Sequence, residues 1–288
     1  MDDFKRIVWL ASYPKSGNTW FRVFLSNLLN KSDQPADINN LYTTPIASSR
    51  ELFDEATGLS SSELTSEEID LLRPHVYEFI SRTSSELQYQ KVHDAWQITK
   101  SGEPMFSDTI TKCVIYFIRN PLDVAVSFSN HLSKSHEDIA KILADKSFAF
   151  SSNPSRFHLQ FRQRLLSWSD HIHSWVDESG LPILVVRYED MKENTFETFK
   201  RAVNFLGLVV SDDDILKAIR FSDIKEMQKQ ESQSGFSEKP TKADSFFRKG
   251  EIGSWRSELA PELVNSICKD HREMMIRFGY LDDKGRPI

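Results

Sequence analysis

At 288 residues and 39% hydrophobic content, the chain can bury a full core, and one large α/β domain is the default expectation. Its 27% charged and 11% aromatic residues describe a globular composition, not a disordered one. A formal net charge of -6 argues against a general binder of nucleic acid or anionic membrane, so any anion site must be a local basic pocket.

The N-terminal stretch carries Asp2 and Asp3, and its apolar run is far shorter than a signal or membrane segment requires. A soluble, reducing, cytoplasmic setting is expected. Residues 5–12 read as a buried strand, and residues 20–29 carry apolar side chains at helical spacing. Between them lies Tyr13-Pro14-Lys15-Ser16-Gly17-Asn18-Thr19-Trp20. A strand, a short Gly-containing loop and a helix start make an anion site, because unpaired amides and the positive helix end face the loop. Lys15 adds a full positive charge, Ser16 and Thr19 add hydroxyl donors, and Gly17 lets the backbone approach a bulky anion. The loop is not the Walker A pattern G-x-x-x-x-G-K-S/T, since Lys15 precedes its only Gly. For this stretch alone, an ordinary strand-to-helix turn with a surface Lys and a core Trp is the plain alternative.

Residues 31–70 are polar and read as surface loops with short helices, a rim for the first loop. Ser66 is the expected N-cap of a helix that Pro74 interrupts, with a second helix beginning near His75. Residues 87–94 alternate like a strand, which puts Lys91 and His93 on one side of it. Residues 112–119 form an apolar strand buried on both faces, with Cys113 inside it as a small hydrophobe. Its end delivers Arg119, and Pro121 suits the first turn of the next helix. Cys113 and Cys268 form no C-x-x-C pair, and nothing suggests a disulfide framework or a zinc site.

Residues 134–180 look mostly helical, with a long helix from about residue 159 to 177, and residues 182–190 make a third central strand. A helix through residues 195–206 should stop at Gly207. Residues 228–245 are rich in Lys, Gln, Ser and Glu and read as a mobile loop that a ligand would order. A final amphipathic helix is expected over residues 261–278, and no repeat or clean domain boundary interrupts residues 1–288.

Four segments now stand out: the first loop, Lys91-Val92-His93, Arg119 with Ser127, and Arg248-Lys249-Gly250. Together, and in this order, they resemble the sulfotransferases that use 3′-phosphoadenosine 5′-phosphosulfate (PAPS). Y-P-K-S-G-x-T-W at Tyr13–Trp20 looks like that family's 5′-phosphosulfate loop. R-x-P-x-D-x-x-x-S at Arg119–Ser127 is similar to its 3′-phosphate motif, and R-K-G-x-x-G-x-W at Arg248–Trp255 to its C-terminal cofactor motif. The resemblance implies a three-layer α/β/α domain, a central parallel sheet and a P-loop-like strand-loop-helix.

It also implies roles. Lys15, Ser16, Gly17, Asn18 and Thr19 would cradle the phosphosulfate, and Trp20 would stack on adenine. Tyr188, Ser222 and Phe247 would lie near the nucleoside. Arg119, Ser127, Arg248, Lys249 and Gly250 would hold the 3′-phosphate, for which a guanidinium offers paired donors. His93, in the family's K-x-H segment, would be the general base, with Lys15 and Lys91 steadying the transferring group. The product would be adenosine 3′,5′-bisphosphate (PAP), the acceptor a small-molecule hydroxyl or amine. No metal is called for, because cationic side chains supply the charge.

Two other classes stay open at this point, a small-molecule kinase and a catalytically silent nucleotide-binding protein. Lys15 in the wrong order for a Walker lysine speaks against the first, and Lys91-Val92-His93 against the second. Asn18 stands where Thr is common in this loop. The segment K-x-x-x-T-V-x-x-x-E, through which many cytosolic members dimerise, is absent after Trp255, so the sequence leaves oligomeric state open.

Overall fold

The computed structural model describes residues 4–43, 45–152, 158–241 and 243–288. In chain order the elements are β1 (Ile7–Ser12), α1 (Asn18–Asn30), α2 (Arg50–Thr57), α3 (Ser66–Thr83), β2 (Gln88–Val92), β3 (Thr111–Ile118), α4 (Pro121–Leu132), α5 (His136–Ala144), β4 (Ala149–Phe150), β5 (Gln163–Arg164), α6 (Trp168–His173) and β6 (Ile183–Arg187). After β6 the elements are all helices: α7 (Tyr188–Glu193), α8 (Thr195–Leu206), α9 (Asp212–Phe221), α10 (Ile224–Ser234), α11 (Trp255–Glu258), α12 (Pro261–Asp270) and α13 (Arg272–Arg277).

The residues cluster into two compact units. One holds the chain up to Tyr13, Thr43–Tyr116 and Asp145–Val185; the other holds Pro14–Tyr42, Phe117–Ala144 and Val186–Ile288. The first unit holds β1, β2 and most of β3 and β6, strands of one sheet in the order β2-β1-β3-β6. β1 runs parallel to β2, from Ile7 opposite Gln88 to Ala11 opposite Val92. Every residue of β1 is buried, as its unbroken apolar run requires. Trp9 packs edge-on against Tyr77 and Phe106, at ring separations of 5.2 and 4.8 Å, and its indole N–H donates to Thr111 Oγ1 at 2.9 Å. β6, expected to be central, lies at one edge of the four-stranded sheet, as β2 does at the other, and only Val186 in it is fully buried.

In the second unit, α1 turns Phe21 and Phe24 onto Phe199 of α8, the latter at 4.3 Å, and Phe21 also meets Phe117 at 5.0 Å. Each such buried ring contributes about 1.5–3 kcal/mol. A second apolar cluster joins Val23, Ile38, Met227, Phe236 and Phe247. Pro121 occupies the first turn of α4 behind the Asn120 cap, and Gly207 ends α8 in the left-handed region at φ 73°, both as the sequence indicates.

Four local expectations differ from the structure. α3 is capped by Thr65, not Ser66, in a reciprocal capping box with Glu68, and it runs unbroken through Pro74. Pro74 costs that helix one hydrogen bond, but buried Arg73 and Tyr77 on either side of it anchor the turn. Residues 163–164 are a strand, not helix: β5 pairs antiparallel with β4, and Phe161 is drawn into contact with Phe53. Residues 153–157 of that predicted helical stretch lie outside the described residues. The expected loop at 228–245 begins as helix α10, capped by Asp223, and residue 242 lies outside the described residues. The C-terminal helix breaks at His271 into α12 and α13.

Candidate active site

The first motif follows β1. Lys15 and Gly17 both take left-handed backbone angles, φ 70° and 98°, which bends the chain into a tight loop before α1 starts at Asn18. Gly17 admits no side chain: a Cβ there would lie 2.9 Å from Tyr188 Cδ2. No side chain caps α1 and no acidic residue occupies its first turn, so its positive end is left for an anion. The Ser16 hydroxyl is buried with no hydrogen-bond partner among the described residues, an orphan that a ligand oxygen would satisfy. Lys15 Nζ stands 4.1 Å from the centre of the Phe246 ring. Asn18 is buried, Thr19 and Trp20 half-buried. Trp20 meets Tyr188 and Phe199 edge-on at 6.1 and 5.4 Å, and Lys192 Nζ lies 5.4 Å from its ring.

Arg119 follows β3 and is 8% exposed. Its Nη1 donates to Lys15 O at 3.3 Å and its Nη2 to Glu251 O at 2.8 Å. Its guanidinium lies 4.3 Å from the Tyr188 ring centre, and its buried Nε has no partner among the described residues. One side chain thus gathers the first loop, Tyr188 and the C-terminal motif. Burial pushes the Tyr188 hydroxyl pKa upward, so the ring stays neutral beside that cation. Behind Arg119, buried Glu189 accepts from Asn120 N at 3.0 Å and from the Tyr280 hydroxyl at 3.1 Å, and burial raises its pKa.

The C-terminal motif is held from α10. Glu231 accepts from the amides of Phe246 and Phe247 at 2.7 and 3.0 Å, and Gln228 donates to the carbonyls of Phe247 and Arg248. Phe247 is buried, Arg248 half-buried, and exposed Lys249 pairs with Glu258 at 3.3 Å. Gly250 takes φ 60°, and a Cβ there would stand 3.5 Å from the Tyr188 hydroxyl. Ser127 is half-buried on α4. Ser222 is buried at the end of α9, with its hydroxyl turned back onto Ile219 O at 3.1 Å.

Lys91 and His93 belong to the sheet-bearing unit. β2 ends at Val92, so His93 stands one residue beyond the strand, and both are half-buried around buried Val92 as the alternation implies. His93 Nδ1 lies 2.8 Å from Ser12 O. A carbonyl only accepts, so Nδ1 carries a hydrogen, and in the neutral ring this places the lone pair on Nε2. The His93 carbonyl accepts from His171 Nε2 at 3.0 Å, and His171 Nδ1 takes the Tyr116 hydroxyl at 2.7 Å. Burial pushes the His171 pKa down to about 4, so this ring stays neutral. Asp94 accepts Arg73 through both oxygens at 3.1 and 2.8 Å, while its carbonyl accepts Trp175 Nε1 at 2.9 Å.

The structure therefore brings Lys15, Gly17, Trp20, Arg119, Tyr188 and Gly250 together in one unit, and frames Lys91 and His93 in the other. Sequence reasoning gave no role to Glu231, Gln228, Phe246, Asp123 or Arg73. Only Asp123 was flagged, as the acidic position of R-x-P-x-D; the others carry no local signal.

A family model described as a sulfotransferase domain matches residues 5–279. Cytosolic sulfotransferase 1 of Arabidopsis thaliana is 27% identical over 267 residues, spanning 90% of this chain and 75% of that protein. Sulfotransferase 1E1 of Bos taurus is 23% identical over 280 residues, spanning 92% and 82%. Among solved structures, mouse sulfotransferase SULT7A1 complexed with PAP has a TM-score of 0.57 at 20% identity, covering 98% of this chain and 87% of that one. Retinol dehydratase in a complex with retinol and PAP has a TM-score of 0.61 at 17% identity, covering 94% and 81%. These likenesses show the fold, a three-layer α/β arrangement around a central parallel sheet. With its family model matched across both units, this chain belongs to the sulfotransferase family.

Proposed function

We propose that this protein transfers a sulfuryl group from PAPS to a hydroxyl or amine of a small-molecule acceptor, releasing PAP, and that residues 1–288 work as a single sulfotransferase domain. The observation that carries the reading is Arg119: a buried guanidinium with an unpartnered Nε, joined to the first loop and the C-terminal motif, beside an unpartnered Ser16 hydroxyl and the uncapped end of α1. That donor set fits an anion with two separated charged groups. The solved relatives support it, since SULT7A1 and retinol dehydratase were crystallised with PAP.

Lys15, Ser16, Gly17, Asn18 and Thr19 hold the phosphosulfate end, with Trp20, Tyr188, Ser222 and Phe247 toward the nucleoside. Arg119, Ser127, Arg248, Lys249 and Gly250 hold the 3′-phosphate. The donor, when bound, supplies an activated sulfuryl group. His93 takes the proton of the acceptor hydroxyl at Nε2, the atom that its Nδ1–H bond to Ser12 leaves basic. Lys15 and Lys91 place positive charge where negative charge develops, and catalysis rests on positioning and charge, as in phosphoryl transfer.

Retinol dehydratase was also solved with androsterone, and one relative is a 3-alpha-hydroxysteroid sulfotransferase from Cavia porcellus, which favours a hydroxyl-bearing small molecule as acceptor. No helix among the described residues is long and apolar enough to cross a membrane, and the cytosolic names of the plant relatives support a cytoplasmic setting, while the net charge of -6 speaks against nucleic acid or an anionic membrane as partner. Thermal shift tests the reading. PAP at about 100 times its Kd should stabilise the fold by about 2.7 kcal/mol, while ATP–Mg²⁺ leaves the Tm near that of the free protein. Stabilisation by ATP–Mg²⁺ and not by PAP overturns it in favour of a kinase.

A further inference from the structure

Asp123 sits in the first turn of α4, four residues after Arg119, and is 0% exposed. It does not fold back to cap its own helix. Its Oδ2 accepts the Gly253 amide at 2.7 Å, and its Oδ1 accepts the Ser254 hydroxyl at 3.1 Å and the Trp255 amide at 3.2 Å. Among the described residues no cation pairs with it, so these three donors and the positive end of α4 are what balance its buried charge. Gly250 and Gly253 are both left-handed, φ 60° and 79°. Those two corners bring the amides of residues 253 and 255 round onto one carboxylate, which accounts for the G-x-x-G spacing in physical terms. Arg119 holds the same strip of chain at Glu251 O, 2.8 Å away. The two polar residues of R-x-P-x-D therefore staple both ends of the segment that follows Arg248 and Lys249.

We propose that Asp123 is a positioning residue for cofactor selectivity: it fixes the chain after Arg248-Lys249-Gly250, so that those cations meet the 3′-phosphate and the protein distinguishes PAP from adenosine 5′-monophosphate. The proposal rests on the reading that Arg248 and Lys249 grip that phosphate. Asp123 itself touches no ligand in this scheme. Its effect is confined to the ligand group that the stapled segment meets.

The test is calorimetric titration of full-length wild type, Asp123→Ala, Asp123→Asn and Arg248→Ala with PAP and with adenosine 5′-monophosphate. In Asp123→Ala the preference for PAP should fall by about tenfold or more, the loss of roughly one charged hydrogen bond to the phosphate, with monophosphate affinity within about twofold of wild type. Asp123→Asn keeps one carboxamide oxygen for two of the three donors, so its preference should fall between the two, and it supplies the measurement if the alanine variant does not fold. Equal losses for both nucleotides mean that Asp123 only supports the fold, and the proposal is overturned. A preference that drops in Arg248→Ala but survives in both Asp123 variants removes Asp123 and leaves the phosphate reading standing. A preference that survives in all three variants removes both.

Discussion

The two units each bury an aspartate beside a functional segment, and they neutralise it in opposite ways. Asp94, next to His93, is 1% exposed and meets a guanidinium through both oxygens. Asp123, next to the C-terminal motif, is 0% exposed and meets two amides and a hydroxyl. An ion pair sealed in a core is rigid, because neither partner tolerates loss of the other. A carboxylate spread over main-chain donors holds a segment's path without a second buried charge. The first solution suits the base proposed at His93, whose carbonyl and ring nitrogen must stay put; the second suits a strip of chain beside half-buried Arg248 and exposed Lys249.

The largest effect is expected at Arg73. Burial opposes its charge, yet Asp94, Tyr77 and Asp70 hold its pKa well above the ordinary arginine range. Arg73→Ala leaves Asp94 buried and unpaired, and urea denaturation should show a loss of about 3–5 kcal/mol. Replacing both partners, as in Arg73→Met with Asp94→Leu, should restore most of that. Asp123→Ala leaves only polar donors behind and should cost less, about 1–3 kcal/mol. If it costs more than Arg73→Ala, the contrast between the two aspartates is wrong.

Acid comes next in size. The His171 pKa is pushed by burial from 6.5 to about 4, against the raising effect of its bond to His93 O. Between those values the unfolded chain binds a proton that the folded protein refuses, so stability must fall as pH falls. The expected loss is about 3 kcal/mol across that window, with no further loss from this group below pH 4. Unfolding free energies at pH 7 and pH 4.5 measure it, and in His171→Gln this part of the slope should vanish. An unchanged slope in that variant means that His171 is not the buried neutral link between Tyr116 and His93.

The smallest effect calibrates the others. Arg82 and Glu78 form an exposed ion pair at 2.7 Å, one turn apart on α3. Removing it with Glu78→Ala should cost no more than about 0.5 kcal/mol. A loss comparable to that of Arg73→Ala would mean that helix α3, and not burial of charge, controls the stability seen at Arg73.

What the sequence revealed follows the same division. Arg248 and Gly250 stand out only through their motif's resemblance to the family's, whereas Lys15 and Arg119 are legible because short-range rules place them, on a loop before a helix and at a strand end. Pro121 and Gly207 were legible for the same reason. The partners of Asp94 and Asp123 were not, since Arg73 lies 21 residues from the first and Gly253 lies 130 from the second. Helix α10 was read as a loop from its Lys, Gln, Ser and Glu content, though Lys, Gln and Glu are good helix formers. Met227 is buried in the core with Ile224 packed against the same cluster, and Gln228 and Glu231 spend their polarity on the segment at 246–248. Pro74 was read as a break because its cost is local, whereas the contacts of Arg73 and Tyr77 that offset it are not.

Single-turnover transfer from labelled PAPS by wild type and His93→Ala tests whether His93 is the general base. The acceptor should be whichever of a panel of phenols, hydroxysteroids and amines gives the highest wild-type turnover, and Tm and PAP affinity should be measured on the same samples. If His93 is the base, the variant folds and keeps near wild-type PAP affinity, and its transfer rate falls by about 10²–10⁴-fold, the usual contribution of a positioned general base. A folded, PAP-binding His93→Ala protein that transfers the sulfuryl group at the wild-type rate would contradict it.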